Sequence, residues 1–132
     1  MIENIYEYHL MKNNEIVGYY DCYFNIEKES DFIMNYIVNE FDINEDSFNR
    51  LIHMIDSEYV SILNQIEIDP DFRGQGYGKE LLNNFFIKNE DTPIILIADS
   101  NGPNFLIQWY ESYDFEIIDL NPNGHHLMLW NP

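Results

Sequence analysis

The chain has 132 residues, of which 24 are Asp or Glu and 6 are Lys or Arg, so its formal charge is −18 at pH 7. This length predicts one domain over residues 1–132, and ten Tyr with nine Phe favour a packed core over disorder despite the charge. The excess of acid argues against direct binding to nucleic acid or to anionic lipid, and it is compatible with a basic substrate or a basic protein partner.

The sequence gives no signal for a membrane span, a disulfide or a metal. No apolar run is as long as a membrane span, and residues 1–4 lack the basic start of a secretory signal, so we expect a cytoplasmic protein. Cys22 is the only cysteine, which excludes an intrachain disulfide. His125 and His126 lack metal-ligand spacing with other His or Cys, so we predict no metal.

The N-terminal part is predicted to form an antiparallel hairpin. Residues 5–12 alternate weakly between polar and apolar side chains, and residues 15–24 are rich in Val and Tyr. Asn13 and Asn14 between them are a two-residue turn signal.

The segment from residue 25 to residue 58 is harder to interpret. Seven of the ten residues over 32–41 are apolar, a pattern that fits a buried strand or a helix, and we favour a strand. A helix is then predicted from an N-cap at Asp46 to about residue 57, because apolar side chains repeat there at helical spacing.

The most informative stretch is residues 66–79, where an alternating strand runs into a glycine-rich loop and the loop into a helix. Four strand residues are predicted to share one face at period two: Ile62, Asn64, Ile66 and Ile68. Three glycines then alternate along the loop, and the apolar spacing from Tyr77 onward is helical. Because the first amides of a helix have no partner within it, this junction predicts an anion-binding site.

The positions of the cations support the same site. Arg73 and Lys79 flank the glycines, on a chain whose net charge would otherwise repel a polyanion. A cation in the first turn of a helix opposes the helix dipole, so Lys79 is better explained by a bound anion than by solvation of an ordinary turn.

Spacing separates three phosphate-binding motifs. A dinucleotide fingerprint would need glycine where the chain has Lys79. A nucleotide-triphosphate loop would need a further residue before Gly78 and a hydroxyl where the chain has Glu80. The pattern [QR]-x-x-G-x-[GA] does fit, with Arg73, Gly76 and Gly78.

With this pattern between a strand and a helix, the sequence resembles the GNAT superfamily of acyl-CoA-dependent N-acetyltransferases. The resemblance implies an α/β fold with a mixed, mainly antiparallel central sheet flanked by helices. It also implies that loop amides cradle the diphosphate of acetyl-CoA and that the preceding strand binds the pantetheine arm through its backbone. The cofactor-binding residues it implies are Ile66, Glu67, Ile68, Arg73, Gly74, Gln75, Gly76, Tyr77, Gly78, Lys79, Asn104 and Tyr110.

The predicted hairpin resembles the second and third strands of the family. The family's usual first strand and the helix pair after it are therefore expected to be reduced or absent at this N-terminus. Since those helices wall the acceptor side, the acceptor cleft is expected to be open or to be completed by another element, for which the helix after Asp46 is a candidate.

The last third is predicted to contain a buried strand, a helix and two terminal strands. Residues 94–98 are a short apolar run typical of a strand covered on both faces. Asn104 can cap the following helix, and residues 116–119 and 127–130 have the character of strands joined by a turn at residues 121–124.

Two residues are candidates for the chemistry. Tyr110 matches the tyrosine that acts as general acid towards the cofactor's sulfur in many GNAT enzymes, and a phenol stays protonated at neutral pH. The family usually has Gly-Phe where this chain has Asp114 and Phe115, and Asp tolerates a left-handed helix end. Glu67 is the candidate base, with water chains to surface carboxylates as an open alternative. The C-terminal stretch of this chain resembles the same part of short acetyltransferases from phages and mobile elements.

The sequence thus predicts transfer of acetyl from acetyl-CoA to a primary amine of a basic acceptor, such as a protein lysine, an N-terminus or a polyamine. A non-catalytic acidic protein on the same fold, occupying a basic groove of a partner, is the alternative. An acyl-CoA sensor without turnover is a third interpretation.

Overall fold

The structure is a computed structural model that describes residues 4–99 and 106–132. Its strands are β1 (Tyr6–Lys12), β2 (Glu15–Glu27), β3 (Tyr59–Ile68), β4 (Ile94–Asp99), β5 (Glu116–Asp119) and β6 (His125–Trp130). Its helices are α1 (Asp31–Met34), a π-helix that follows it (Asn35–Glu40), α2 (Glu45–Met54), α3 (Tyr77–Asn89) and α4 (Leu106–Glu111), with a 3-10 turn at Pro70–Phe72.

The six strands form one mixed sheet in the order β1-β2-β3-β4-β6-β5. Only the β3–β4 pair is parallel, and the other four pairs are antiparallel. The predicted hairpin is confirmed, and its turn residues Asn13 and Asn14 have φ of 51° and 65°, as a two-residue hairpin turn with two left-handed positions requires. The two terminal strands are confirmed as β5 and β6.

Helices cover both faces of the sheet. On one face, Leu81 and Phe85 of α3 and Tyr110 of α4 join a buried cluster with Leu63 of β3 and Leu96 of β4. Such a face excludes water and holds α3 and α4 against the strands.

Residues 31–54, from α1 to α2, cover the opposite face; we call them the helical segment. Ile33, Ile37 and Leu51 are fully buried there against Ile62 of β3 and Ile95 of β4. This cover comes from the part of the chain between β2 and β3, and the described residues contain no helix before β1.

The prediction of a strand over residues 32–41 is wrong. Ser30 caps α1 by accepting a hydrogen bond from the Ile33 amide, and Ile33, Tyr36 and Ile37 are then buried at helical spacing. A stretch this rich in apolar residues fits both periods, and here the cap and the need to cover the sheet select the helix.

The predicted bounds of the next helix also need correction. Its N-cap is Asn44 rather than Asp46, because the Asn44 side chain accepts a hydrogen bond from the Ser47 amide at 2.8 Å. Asp46 lies in the first turn, where its charge favours the helix dipole, and the helix ends at Met54.

A one-residue insertion in β3 overturns the predicted strand face. Asp21 of β2 pairs with Gln65 and Cys22 pairs with Leu63, so Asn64 has no partner on β2 and forms a β-bulge. Ile62 therefore belongs to the cluster under the helical segment, whereas Ile66 and Ile68 pack on the α3 side. In the described ranges, no helix is long and apolar enough to cross a membrane.

Candidate active site

The site begins where the parallel pair β3–β4 comes apart. The two strands pair only at Ser61 with Ile94, Ile62 with Ile95, and Leu63 with Leu96. Both strands then continue without pairing to each other, and a cleft of about 750 Å³ opens between them. We call the point after the Leu63–Leu96 pair the apex of the cleft.

The backbone of β3 supplies hydrogen-bonding groups along one wall of this cleft. On its other edge, the end of β3 pairs with β2, with Ile66 opposite Tyr20 and Ile68 opposite Gly18. Antiparallel pairing uses the backbone groups of alternate residues, so the remaining N–H and C=O groups of residues 65–68 face the cleft. A ligand lying there would satisfy them.

Gly18 allows β2 to approach this wall closely. A Cβ atom on Gly18 would lie 2.7 Å from the Glu67 carbonyl oxygen and 2.7 Å from Ile68 Cδ1. The amide of Asp69 donates to the Val17 carbonyl at 2.9 Å, which fixes the end of β3 to β2. The loop that follows therefore starts from a rigid point.

The glycine loop leaves an open concavity at the start of α3. Gly74 and Gly76 both have φ of +80°, and a Cβ on either would meet no atom within 4 Å. Gly76 is the N-cap of α3 and supplies no side-chain oxygen, so the first amides of α3 keep free hydrogen-bonding capacity. At Gly78 a Cβ would lie 3.5 Å from Trp109 Cζ2, an ordinary contact.

Positive charge is concentrated beside the loop. Arg73 Nε donates to the Ile68 carbonyl at 3.2 Å, which holds the guanidinium over the end of β3, and Lys79 also lines the cleft. Lys12 forms an ion pair with Glu80 at 2.9 Å, which offsets the acidic side chain in the first turn of α3. The loop is therefore suited to an anion in spite of the overall charge.

The remaining cations have partners away from the loop. Lys28 donates to the Ile55 carbonyl, Arg50 donates to the Ile118 carbonyl, and Lys88 donates to the Tyr6 hydroxyl.

Tyr110 lies in the cleft wall contributed by α4. Its side chain is 5% exposed and packs against the rings of Trp109 and Phe115. Burial raises the pKa of its hydroxyl above the ordinary value, so it stays protonated at neutral pH. Asp114 has φ of +71°, and the Phe115 amide donates to the Tyr110 carbonyl at 3.2 Å, so the helix end expected at Asp114 does form.

Glu67 lines the cleft together with its neighbours Ile66 and Ile68. The side chains of Ile66 and Ile68 pack on the α3 side of the sheet. Glu67 is exposed and pairs in register with Tyr19, whose pKa is raised by its own burial and by the neighbouring carboxylates, Glu67 first among them. The Tyr19 hydroxyl donates to Gln65 Oε1 at 2.7 Å.

The cleft brings together all but two of the residues that the resemblance implied. Gln75 is exposed and does not line the cleft. Asn104 lies outside the described residues. The lining residues among those implied are Ile66, Glu67, Ile68, Arg73, Gly74, Gly76, Tyr77, Gly78, Lys79 and Tyr110.

Sequence reasoning missed a polar group at the apex. Asn64, the bulged residue, lines the cleft and hydrogen-bonds to Tyr36 and Asp21. The sequence does not single it out, because β3 also contains Ser61, Gln65 and Glu67. Its two partners lie 28 and 43 residues away along the chain.

Comparison with known proteins identifies the family. A family model described as "Acetyltransferase (GNAT) family" matches residues 3–88. The chain belongs to this family, and the mixed sheet, the parting of β3 from β4 and the glycine loop are the corresponding features of its fold.

The curated relatives match only part of this chain. The chain is 35% identical over 77 residues to an uncharacterized N-acetyltransferase of Staphylococcus epidermidis, a match that covers 58% of this chain and 49% of the relative. The chain thus spans about half the length of the curated relatives that it matches.

Two solved structures share the fold. The Bacillus subtilis N-acetyltransferase YlbP, in complex with coenzyme A, has a TM-score of 0.59 at 16% identity and covers 96% of this chain and 67% of its own. The anti-CRISPR protein AcrVA5 has a TM-score of 0.51 at 19% identity, with 96% of this chain and 98% of its own covered.

Proposed function

We propose that the protein is an acetyl-CoA-dependent N-acetyltransferase that modifies a primary amine. The observation that carries this proposal is the cleft between β3 and β4, which ends at a helix start whose glycines have positive φ and open space beside them. The diphosphate of acetyl-CoA is assigned to the loop over residues 73–79 and the pantetheine arm to the backbone of residues 66–68. The binding of coenzyme A by the Bacillus subtilis neighbour supports this assignment.

The acetyl thioester then lies at the apex, because the arm runs along β3 from the loop towards the Leu63–Leu96 pair. In the reaction, the amine nitrogen attacks the thioester carbon, a C–N bond forms and the C–S bond breaks. The nitrogen must lose a proton and the leaving thiolate must gain one.

Tyr110 is assigned to the thiolate. A buried phenol with a raised pKa keeps its proton until negative charge develops on the sulfur, and it then donates a hydrogen bond or the proton to that charge. Glu67 is assigned as the proton acceptor of the amine. Glu67 lies three residues from Asn64, about 10 Å along an extended strand, so water must connect it to a nitrogen at the apex.

The acceptor is proposed to be cationic before it reacts. A net charge of −18 attracts an amine-bearing partner and raises its encounter rate at low ionic strength. A protein lysine, a protein N-terminus and a polyamine all meet this requirement.

A thermal-shift measurement with acetyl-CoA tests the proposal. At 100 times its Kd, a ligand of the folded state adds about 2.7 kcal/mol, which raises Tm by roughly 10 °C for a chain of this size. Arg73→Glu should remove most of this rise. Lys88→Glu makes the same change of charge at the other end of α3 and should keep it.

No rise in the wild-type protein would contradict the proposal, and so would an equal loss in both variants. If acetyl-CoA binds, incubation with spermidine, a lysine-containing peptide and a peptide with a free N-terminus, followed by mass spectrometry, identifies the acceptor class. Binding without transfer to any of them would favour a sensor or a non-catalytic acidic protein.

A further inference from the structure

The β-bulge at Asn64 directs a polar side chain to the apex of the cleft. Asn64 is the first residue of β3 after the last β3–β4 pair, and it has no register partner on β2. A bulge bends its strand and re-aims the extra side chain. Asn64 consequently reaches the helical segment while it also lines the cleft.

The Asn64 amide is held from both ends. The Tyr36 hydroxyl donates to Asn64 Oδ1 at 2.5 Å, and Asn64 Nδ2 donates to Asp21 Oδ1 at 2.9 Å. An ionised carboxylate can only accept, so the charge of Asp21 requires Nδ2 on its side and places Oδ1 towards Tyr36. The orientation of the amide is therefore determined by chemistry as well as by packing.

Both partners are themselves fixed by burial. Tyr36 is 6% exposed, and its ring packs against Tyr23 and Phe41. Asp21 is 7% exposed; its burial raises its pKa, while hydrogen bonds from Asn64 and from the Gln65 backbone lower it. Removing polar groups from water costs free energy even when they are paired, so such a network adds little stability.

We propose that Asn64 binds the acceptor amine, and that Tyr36 and Asp21 are positioning residues that aim its Oδ1 at the attacking nitrogen. This inference rests on the proposed function and extends it, because it makes the helical segment part of the acceptor site.

The chemistry requires an oxygen at this place. As the amine nitrogen attacks the thioester carbon it becomes positively charged, and an N–H bond on it then donates strongly to a fixed acceptor. Oδ1 has a second lone pair beyond the one that Tyr36 occupies. The Asp21 carboxylate behind the amide favours the same positive charge without taking the proton itself, which passes to water or to Glu67.

The test uses Tyr36→Phe and Asn64→Ala, singly and together, with Tyr23→Phe as the matched control. Tyr23→Phe removes a hydroxyl from the same aromatic cluster, and Tyr23 has no hydrogen bond to Asn64. Transfer is measured with spermidine, a lysine-containing peptide and a peptide with a free N-terminus, and acetyl-CoA binding is measured separately by thermal shift.

We expect kcat/KM for the amine to fall about tenfold in Tyr36→Phe and more in Asn64→Ala, with the acetyl-CoA shift unchanged. The double variant should be no slower than Asn64→Ala alone, because Tyr36 acts through Asn64. Asp21→Asn should resemble Tyr36→Phe, and Tyr23→Phe should match the wild type.

Independent, multiplicative losses in the double variant would overturn the inference, as would a fall in Tyr23→Phe equal to that in Tyr36→Phe. Loss of the acetyl-CoA shift in Asn64→Ala would also overturn it, because the amide would then serve the cofactor. If the wild-type protein does not bind acetyl-CoA, the proposed function itself fails. If the wild-type protein binds acetyl-CoA but transfers acetyl to none of the three probes, the assignment of Asn64 to the acceptor amine is contradicted.

Discussion

At the scale of single residues, the two ends of the proposed reaction are assigned to side chains with different surroundings. Tyr110 is enclosed by Trp109 and Phe115, so its hydroxyl is kept neutral by the lack of water. Asn64 is uncharged but lies in front of a carboxylate, Asp21. The first environment suits a donor to a developing anion, and the second suits an acceptor from a developing cation.

The role of Tyr110 predicts a separation of binding from catalysis. Tyr110→Phe keeps the ring in its place and removes only the hydroxyl, so the acetyl-CoA thermal shift should persist while kcat falls about 100-fold. Tyr113→Phe, on a half-buried tyrosine in the turn that follows α4, is the control and should leave kcat unchanged. Unaltered turnover in Tyr110→Phe would remove its assignment as the acid.

The loop glycines are predicted to differ in their tolerance of a methyl group. Gly76→Ala forces a side chain into the left-handed region, which costs about 1–2 kcal/mol, and it places a Cβ in the space proposed for the diphosphate. Gly78→Ala meets only an ordinary contact with Trp109. Titration with acetyl-CoA should thus give a weaker Kd for Gly76→Ala and a Kd near that of the wild type for Gly78→Ala; the reverse order would contradict the proposed position of the diphosphate.

At the scale of secondary-structure elements, the site depends on how β2, β3 and the loop are joined. Gly18 pairs with Ile68 at the end of β3, and there is no space there for a side chain. The Asp69–Val17 hydrogen bond completes the junction. The position of the glycine loop is consequently set by a strand that contributes little to the cleft itself.

Gly18→Ala should disturb this junction. Its Cβ would be 2.7 Å from a backbone oxygen, which cannot move without shifting β3, so we expect a loss of about 1–3 kcal/mol and a Tm lower by several degrees. Acetyl-CoA affinity should fall with it, because residues 66–68 shift. A Tm and affinity equal to those of the wild type would show that β2 does not position the loop.

The elements also differ in how well the sequence predicts them. The hairpin and the glycine loop follow from local signals, since Asn13, Asn14 and the glycines specify their own backbone angles. The form of residues 32–41 is mispredicted because seven of these ten residues are apolar, and their spacing fits a strand as well as a helix. Their helical form depends on the cap at Ser30 and on the sheet face that they must cover.

The candidate site also has one part that local sequence signals predict and another that depends on the folded chain. The anion-binding end is encoded within fourteen consecutive residues, 66–79, and could be predicted from their spacing. The amine-binding end joins Asp21, Tyr36 and Asn64, which only the folded sheet brings together. A bulge is not evident in a sequence, because one extra residue changes which face each later side chain of the strand occupies while the residue types stay those of an ordinary strand.

At the scale of the whole molecule, charge makes opposite demands for the two substrates. The net charge of −18 repels the phosphates of acetyl-CoA everywhere except near Arg73 and Lys79. The same charge attracts a cationic amine from a distance. If the acceptor is a cationic amine, as proposed, the sign of the local field favours a different substrate at each part of the surface.

Salt should consequently affect the two substrates differently. Between 20 and 300 mM NaCl, a range across which screening becomes strong, KM for a polycationic acceptor such as spermidine should rise several-fold. KM for acetyl-CoA should change little or fall, because salt also screens the repulsion by the rest of the surface. A parallel rise of both values would mean that net charge does not select the acceptor.

The most direct measurement is a titration of ¹⁵N-labelled protein with coenzyme A, followed through the backbone amide resonances. We expect the largest shifts at Gly74, Gly76 and Gly78 and along residues 64–68, and we expect Arg73→Glu to suppress them. If the loop resonances stay in place while others move, or if the spectrum does not change at all, these amides do not hold the diphosphate.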